Sequence, residues 1–482
     1  MEKYYKIILT FFFFIIFLCL FFFTHAQTTF EKKYASSYDQ SGRDVLPTPD
    51  GGYIIAGMTE TQFAGDSDIY AIKTNSIGDM VWTKSYGGYQ PENAYCILAT
   101  ADSNYFILGY TKSYGAGNYD IWLLKINPSG DTLWTKTYGT SGEDEGKGII
   151  ATDDGNYVIV GRTYNSANAS SDACLIKINP AGTILWTKYY GGPQYDTGHS
   201  VRLCSDGGYI LVGQTFSYGT VAGDIYLVKT NSAGDSLWTK TFGGIYEDEA
   251  DDITINSDNS FTICGKSISY SAGSEDVWVI KTNAVGIESW NKTYGGTDKD
   301  VAHTIQQTPD GGYILGCISR SFGWINPDMW LVKINAVGDT LWTRNFGSWY
   351  HDHCHGVRTT SDGGYIAIGH SEDVSLTKHV YFLKLDALGI VPVEEIALED
   401  VLNVYPNPAE GHLNLNYSLF AKGVNIEIYN ILGTKIYSQQ QTSNVRSQTV
   451  IDVSGFDRGL YFLKLSDEKN SSHSFVKKII LN

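Results

Sequence analysis

Residues 50–87 read DGGYIIAGMTETQFAGDSDIYAIKTNSIGDMVWTKSYG, and this stretch decides the fold because its motifs return at a fixed interval. The motif Asp-Gly-Gly-Tyr, or a close variant, recurs every 52 residues, and the motif Leu/Val-Trp-Thr-Lys follows with the same step. A constant period of this length is the signature of a repeat architecture. The seven copies of the first motif begin at Asp50, Asp102, Asp154, Asp206, Asp258, Asp310 and Asp362.

Each copy predicts four short β-strands. In the third copy they are expected at 148–151, 157–162, 172–179 and 184–189, because β-branched and aromatic runs there are bounded by Gly, Asn, Asp or Pro. The copies show no apolar period of helical spacing, which disfavours helical solenoids and leucine-rich horseshoes. Four strands per repeat indicate one β-propeller blade per copy.

The two ends of the repeat region complement each other. The first partial copy, 30–34, aligns with the tryptophan motif of the later copies, and the last copy lacks its fourth strand. A β-solenoid, the rival architecture, gives no reason for such complementary ends. We therefore expect an all-β protein, a seven-bladed β-propeller closed by its N-terminal strand, followed by a small Ig-like β-sandwich.

The repeats resemble the bacterial β-propeller repeat family, whose units combine an acidic residue, D-G-x-Y, G-x-T, a lysine and a Gly turn before Trp. The resemblance covers Phe30 to Leu388. It implies the fold and leaves the function open, because propellers include enzymes as well as inert scaffolds.

The first 26 residues read as a signal peptide. Lys3 and Lys6 precede the apolar run 7–23, and Thr24-His25-Ala26 offers a cleavage site. The expectation is export to the periplasm with removal of this segment, and the alternative is an uncleaved membrane anchor. No later segment is apolar enough to span a bilayer, so no transmembrane segment is expected in the mature chain.

The C-terminal part has a different pattern, with Tyr405-Pro406-Asn407-Pro408 and Gly459-Leu460-Tyr461-Phe462 among its motifs. It resembles the C-terminal sorting domain of the type IX secretion system of Bacteroidetes. That resemblance implies recognition by the secretion machinery and a product that is secreted or held on the outer cell surface. The expected organisation is a signal peptide at 1–26, the propeller at 27–389, a linker at 390–403 and the sorting domain at 404–482.

Composition narrows the choice of partners. The chain has 35 Lys+Arg against 52 Asp+Glu, a formal net charge of −17, which argues against nucleic acid as a partner. The six cysteines after Cys19 contain no C-x-x-C and share no repeat column. They read as small buried residues, and their pairing stays open.

Three polar columns recur in the copies. A carboxylate ring could bind a cation, but a feature present in every copy is expected to satisfy turn and strand-end backbone groups. The column before strand one is Gln40, Glu92, Asp144, Asp196, Asp248, Asp300 and Asp352. The column ending strand two is Thr59, Thr111, Thr163, Thr215, Ser267, Ser319 and Ser371. The column opening strand three is Asp68, Asp120, Asp172, Asp224, Asp276, Asp328 and His379.

A functional site is expected where the symmetry between copies breaks. His351, His353 and His355 would share one face of an extended strand, about 6–7 Å apart. Alternating histidines can bind a divalent metal such as zinc or copper, so these three are the predicted metal ligands. An exposed polar edge is the alternative, because His199 and His303 occupy the same repeat column as His355.

The sequence assigns no catalytic or cofactor-binding residue, since G-x-S-x-G, H-E-x-x-H and P-loop motifs are absent. The close similarity of the copies favours a non-catalytic binding or adhesion module for a glycan, a protein or an extracellular polymer. The alternatives are a secreted hydrolase or oxidoreductase with its site in the propeller channel, and a structural component of a surface coat.

Overall fold

A computed structural model describes residues 28–60, 67–167, 169–220, 222–323, 326–391, 402–417, 424–431, 434–441, 447–467 and 474–482. The predicted signal peptide and most of the predicted linker lie outside these residues. The chain divides into two compact units, Met1–Val391 and Pro392–Asn482. All regular elements in the described ranges are β-strands. Over those same ranges, no helix has the length and apolar character needed to cross a membrane.

The first unit contains seven antiparallel sheets of four strands each, one of which includes β1 (Phe30–Tyr34). In every sheet a first strand pairs with a second, and the second with a third. The first strands are β2 (Gln40–Pro47), β6 (Glu92–Ala99), β10 (Glu145–Ala151), β14 (Asp196–Leu203), β18 (Asp248–Ile255), β22 (Asp300–Gln307) and β26 (Asp352–Thr359). The second strands are β3 (Tyr53–Glu60), β7 (Tyr105–Thr111), β11 (Tyr157–Asn165), β15 (Tyr209–Thr215), β19 (Phe261–Ser267), β23 (Tyr313–Ser319) and β27 (Tyr365–Glu372).

The outer half of each sheet follows the same plan. The third strands are β4 (Ser67–Thr74), β8 (Asp120–Ile126), β12 (Ser170–Ile178), β16 (Asp224–Thr230), β20 (Asp276–Thr282), β24 (Asp328–Ile334) and β28 (Lys378–Leu385). The fourth strands of six sheets are β5 (Met80–Tyr86), β9 (Thr132–Tyr138), β13 (Ile184–Tyr190), β17 (Ser236–Phe242), β21 (Glu288–Tyr294) and β25 (Thr340–Phe346). In the seventh sheet β1 takes the fourth position and pairs with β28.

Strand β1 joins the first and last sheets. Phe30 and Tyr34 belong to a hydrophobic cluster that contains Ile55 of the first sheet and Ile368 of the last. The Tyr34 hydroxyl donates a hydrogen bond of 2.7 Å to the carbonyl of Gly78, in the turn after β4. The same hydrogen bond joins neighbouring sheets elsewhere, for example from the Tyr138 hydroxyl to the carbonyl of Gly182 at 2.8 Å. Strand β1 therefore makes the contacts that a fourth strand makes in the other sheets.

At the end of each sheet where the first strand turns into the second, which we call the turn end, the repeat motifs build the same ion pair in six of the seven sheets. The Asp50 carboxylate accepts hydrogen bonds from the Gly52 amide and from Lys73 Nζ, each at 3.0 Å. Gly51 has a φ of 82°, which explains the glycine of the motif. Equivalent ion pairs form at Lys125–Asp102, Lys177–Asp154, Lys229–Asp206, Lys333–Asp310 and Lys384–Asp362.

The acidic column before strand one fixes the loops that enter each sheet. Buried Glu92 accepts hydrogen bonds from the Thr111 hydroxyl at 2.7 Å and from the Gly88 amide at 2.9 Å. Asp300 likewise accepts from the Gly296 amide at 2.9 Å. These contacts give the column the structural role expected of a feature present in every copy.

All six described cysteines carry free thiols, and five of them are buried. They are Cys96, Cys174, Cys204, Cys264, Cys317 and Cys354.

The second unit contains a three-stranded sheet of β29, β30 and β33 and a four-stranded sheet of β32, β31, β34 and β35. Their bounds are β29 (Leu402–Tyr405), β30 (His412–Tyr417), β31 (Val424–Asn430), β32 (Lys435–Gln441), β33 (Ser447–Asp452), β34 (Gly459–Asp467) and β35 (Ser474–Leu481). Leu413 and Ile451 of the first sheet share one hydrophobic cluster with Ile426, Ile428 and Leu463 of the second.

Candidate functional site

The first strands of the seven sheets surround a cavity of about 410 Å³. Each of these strands contributes side chains to its lining. A concave space that every repeat contributes to is the natural place to look for a ligand site.

A β-bulge in every first strand aims one side chain into this cavity. In the first sheet the pairing passes from Gly42–Gly57 to Asp44–Ala56, so Arg43 is left without a partner residue. A bulge redirects the extra residue and locally bends the strand. The residues skipped in this way form what we call the bulge ring. They are Arg43, Tyr95, Lys147, His199, Asp251, His303 and His355.

In most sheets the residue of the second strand that faces the start of the bulge is a glycine. A Cβ added to Gly57 would lie 1.9 Å from the carbonyl oxygen of Ser41, so this close backbone approach excludes a side chain in the first sheet. Glycine occupies this column in six sheets, and Cys317 occupies it in the remaining sheet. The glycines are Gly57, Gly109, Gly161, Gly213, Gly265 and Gly369.

One part of the bulge ring is an acid–histidine chain. Asp251 lies between two imidazoles, with Oδ1 3.4 Å from His199 Nδ1 and Oδ2 2.8 Å from His303 Nδ1. Burial acts to raise the pKa of Asp251, but hydrogen bonds from both histidines hold it well below its usual range. Burial acts to lower the pKa of His199, yet Asp251 and Glu249 bring it above its ordinary value. The three side chains of this acid–histidine group therefore satisfy one another's polar atoms.

A second part is a cationic–aromatic network. Lys147 Nζ lies 3.8 Å from the centre of the Tyr95 ring and 2.6 Å from the Glu145 carboxylate. Arg162 also contacts Glu145 at 2.6 Å. Although burial opposes ionisation, Lys147 and Arg162 lower the pKa of Glu145 to about 2. This network too contains its own counter-charges.

The third part is a group of three histidines. His353 and His370 lie directly opposite each other on β26 and β27, with stacked rings whose centres are 4.6 Å apart. His355 Nε2 lies 3.3 Å from His370 Nδ1, and one ring nitrogen from each of the three residues lies within 4.8 Å of the others. Burial lowers the pKa of all three, that of His353 to about 3. Neutral imidazoles are the form that binds metal ions.

Arg43 lies beside this histidine group. Its Nη1 is 3.2 Å from His355 Nδ1, and burial lowers the pKa of its guanidinium. Its Nε is buried without a hydrogen-bond partner, and no carboxylate of the described chain forms an ion pair with it. A buried cation without a counter-charge is costly unless a ligand compensates it.

The structure brings together two of the three predicted metal ligands, His353 and His355. His351 precedes β26 and is not a member of the group, whereas His370 of the second strand is. Metal binding by the predicted residues stays a prediction. Sequence reasoning missed His370, although its repeat column carries a different residue in every copy: Met58, Tyr110, Arg162, Gln214, Lys266, Ile318 and His370.

Comparison with known protein families defines the C-terminal unit. The family described as "Secretion system C-terminal sorting domain" matches residues 403–482. The chain carries a type IX sorting domain. This confirms the resemblance noted in the sequence, and it indicates export to the medium or the outer surface through contact with the secretion machinery.

Three further similarities are distant. The Regulatory protein FlaEY of Caulobacter vibrioides is 29% identical over 117 residues, which span 22% of this chain and 12% of that protein. The WD40 domain of Neurospora crassa Pan2 is 9% identical, covering 73% of this chain and 90% of that one with a TM-score of 0.45. The β-propeller domain of the Trilobed protease of Pyrococcus furiosus is 10% identical, covering 74% and 98% with a TM-score of 0.40.

Proposed function

We propose that this protein is a closed seven-bladed propeller with an Ig-like sorting domain, and that it binds an extracellular ligand at the bulge ring without catalysis. A cleaved signal peptide takes it to the periplasm, and the sorting domain takes it across the outer membrane. Its ligand is a glycan, a protein or an extracellular polymer. Its role is adhesion or capture at the cell surface or in the medium.

The observation that carries the proposal is the distribution of variation between copies. The bulge ring carries five residue types in seven copies, all able to form polar contacts. Two positions further along the same strands, the column holds only Val or Ile. Residues that build the repeat fold are the same or nearly the same in every copy. The polar bulge ring varies between copies, so its residues are the ones free to match a ligand.

The chemistry of the ring suits a polar ligand with several hydroxyl or anionic groups. Arg43 provides a positive charge without a counter-charge among the described residues, whereas the charges of Lys147 and Asp251 are already paired. The Tyr95 ring, with Lys147 on one face, provides a flat apolar surface. A few convergent polar groups in a concave site fix the orientation of a ligand, and the apolar face adds buried area.

The proposal is tested on a glycan array with the purified full chain and a matched pair of variants. Lys147→Gln alters the bulge ring, and Lys188→Gln removes the same charge from an outer strand. We expect saturable binding to one class of glycan, weakened about tenfold by Lys147→Gln through loss of a charged hydrogen bond, and unchanged by Lys188→Gln. A blank array excludes the glycan version, and equal effects of both variants exclude the bulge ring as the binding surface.

A second candidate is a secreted hydrolase, favoured by the group of His353, His355 and His370, because three histidines with an open position form catalytic zinc sites. Turnover of an ester, peptide or glycoside substrate by the zinc-loaded chain, abolished by His370→Ala, would establish it in place of the binding role.

A further inference from the structure

The group of His353, His355 and His370, of which His355 lines the cavity, differs in charge balance from the other polar groups of the bulge ring. Asp251 contacts both His199 and His303, and the two carboxylates of Glu143 and Glu145 pair with Lys147 and Arg162. In the described part of the chain, none of the three grouped histidines forms an ion pair with a carboxylate. The Ser41 hydroxyl lies 3.2 Å from His370 Nδ1, and Arg43 Nη1 lies 3.2 Å from His355 Nδ1. The group is therefore held by polar contacts but has no carboxylate counter-charge within the described ranges.

The spacing of the group matches that of metal ligands. Two nitrogens bound to one tetrahedral zinc ion at about 2.0–2.1 Å lie about 3.3–3.4 Å apart. His355 Nε2 and His370 Nδ1 are 3.3 Å apart, and the nitrogen from His353 is within 4.8 Å of both. The His353 ring stacks on the His370 ring, with the ring centres 4.6 Å apart.

The backbone holds two of these ligands in place without any metal. His353 and His370 are paired residues of an antiparallel ladder, and the bulge turns His355 towards them. Histidines supported by rigid strands lose little conformational entropy on binding an ion.

A metal ion bound by the three histidines would need a negatively charged partner. A divalent ion bound by three neutral imidazoles keeps its full charge, and Arg43 adds a positive charge 3.2 Å from His355. Buried charges of one sign are stable only when compensated. Three protein ligands plus one exchangeable position is the arrangement of zinc sites that accept an external ligand.

We infer that His353, His355 and His370 bind one divalent transition-metal ion, with zinc as the best match to the ligand set, and that Arg43 holds a carboxylate or similar anion in the remaining position. The inference goes beyond the proposed function, because the site can bind metal whether or not the bulge ring binds a glycan.

The metal is tested on the full chain after dialysis against a chelator and equilibration with Zn²⁺, with bound zinc measured by elemental analysis. We expect about one ion per chain. Removal of a residue that only hydrogen-bonds to a metal ligand weakens metal affinity by about 10–100-fold. Removal of a ligand itself, in His370→Ala or His353→Ala, should therefore weaken zinc affinity by more than this. His199→Ala tests the other group of possible metal ligands, His199, Glu249 and Asp251, and His351→Ala tests the ligand predicted from sequence alone. Both of these variants should retain the zinc.

Absence of bound zinc in the unmodified chain, or equal zinc in all variants, overturns the assignment, and so does loss confined to His199→Ala. Thermal unfolding without metal shows whether each variant is folded, and His370→Gln replaces the alanine variant if that one is not. Zn²⁺ should raise the melting temperature of the unmodified chain and leave that of the His370 variant unchanged.

The anion is tested with Co²⁺ in place of Zn²⁺, since its visible spectrum reports a change of ligand. Titration with acetate should alter the spectrum of the unmodified chain. Arg43→Gln should keep the metal but weaken the affinity for acetate about tenfold or more, which corresponds to the loss of one charged hydrogen bond. An unaltered spectrum in the unmodified chain overturns the role of Arg43. Glycan binding by metal-free protein would leave the proposed function standing even if zinc does not bind.

Discussion

Aspartate residues at the turn end and at the bulge ring differ in what surrounds them. At the turn end, Asp50 is a mostly exposed carboxylate that receives a hydrogen bond from nearly buried Lys73. In the bulge ring, Asp251 receives its hydrogen bonds from two imidazoles. The first arrangement recurs in most sheets and stabilises a turn, whereas the second occurs once. A residue type therefore indicates a functional position here only where its partners differ between copies.

The ion pair at the turn end predicts a pH dependence. The hydrogen bond from Lys73 lowers the pKa of Asp50 to about 2, below its unfolded value of about 3.9. The stabilisation is thus fully present above about pH 4 and is lost as the pH falls through about 2. The Asp50 side chain is 64% exposed, so Asp50→Asn should lower the free energy of unfolding at pH 7 by at most about 1 kcal/mol.

Denaturant unfolding of Asp50→Asn at a series of pH values, followed by tryptophan fluorescence, checks this. The difference from the unmodified chain should narrow below about pH 4. Asp153→Asn, which removes the same charge from an exposed site, should show no difference at any pH. A constant deficit of Asp50→Asn at all pH values would contradict the ion-pair explanation.

The elements of the fold follow from the sequence more completely than the site does. The predicted strands of the third copy all fall on observed ones, because each is a short apolar run between turn residues. The first strand starts earlier than predicted, at Glu145, because the bulge at Lys147 interrupts the alternation used to recognise it. The same bulge decides which side chains enter the cavity. The pairing of His353 with His370 depends on the register between β26 and β27. The alternation of residues within one strand does not predict that register.

At the level of elements, the position of β1 in the seventh sheet gives a stability prediction. Phe30 is 7% exposed and packs edge-on against Tyr53 and Phe382, with ring centres 5.9 and 5.1 Å away. Phe30→Ala should lower the free energy of unfolding by about 3 kcal/mol or more, because it removes a buried ring and leaves a cavity. Denaturant unfolding measures the effect. Tyr89→Ala at a residue 91% exposed is the control, with an expected change within about 0.5 kcal/mol. Equal small effects would mean that β1 does not complete the sheet.

The two units of the whole chain can be observed separately. All 11 tryptophans lie between Trp82 and Trp349, and the sorting domain has none. Each unit has its own hydrophobic clusters among the described residues. Tryptophan fluorescence therefore reports unfolding of the repeat unit, and export reports the condition of the sorting domain.

This separation predicts that a defect in the sorting domain blocks export and leaves the repeat unit folded. Ile428 is fully buried in the cluster shared by the two sheets of that domain. Ile428→Asp places an unpaired carboxylate there, at a cost of several kcal/mol, which is enough to unfold a domain of this size. In the native host, the variant should accumulate within the cell and not cross the outer membrane, while its tryptophan unfolding midpoint equals that of the unmodified chain.

Ile431→Asp, at a residue 66% exposed, is the control and should be exported normally. Export of Ile428→Asp at the normal level would show that the machinery reads a short linear motif, and a lowered tryptophan midpoint would show that the repeat unit depends on the sorting domain for its stability.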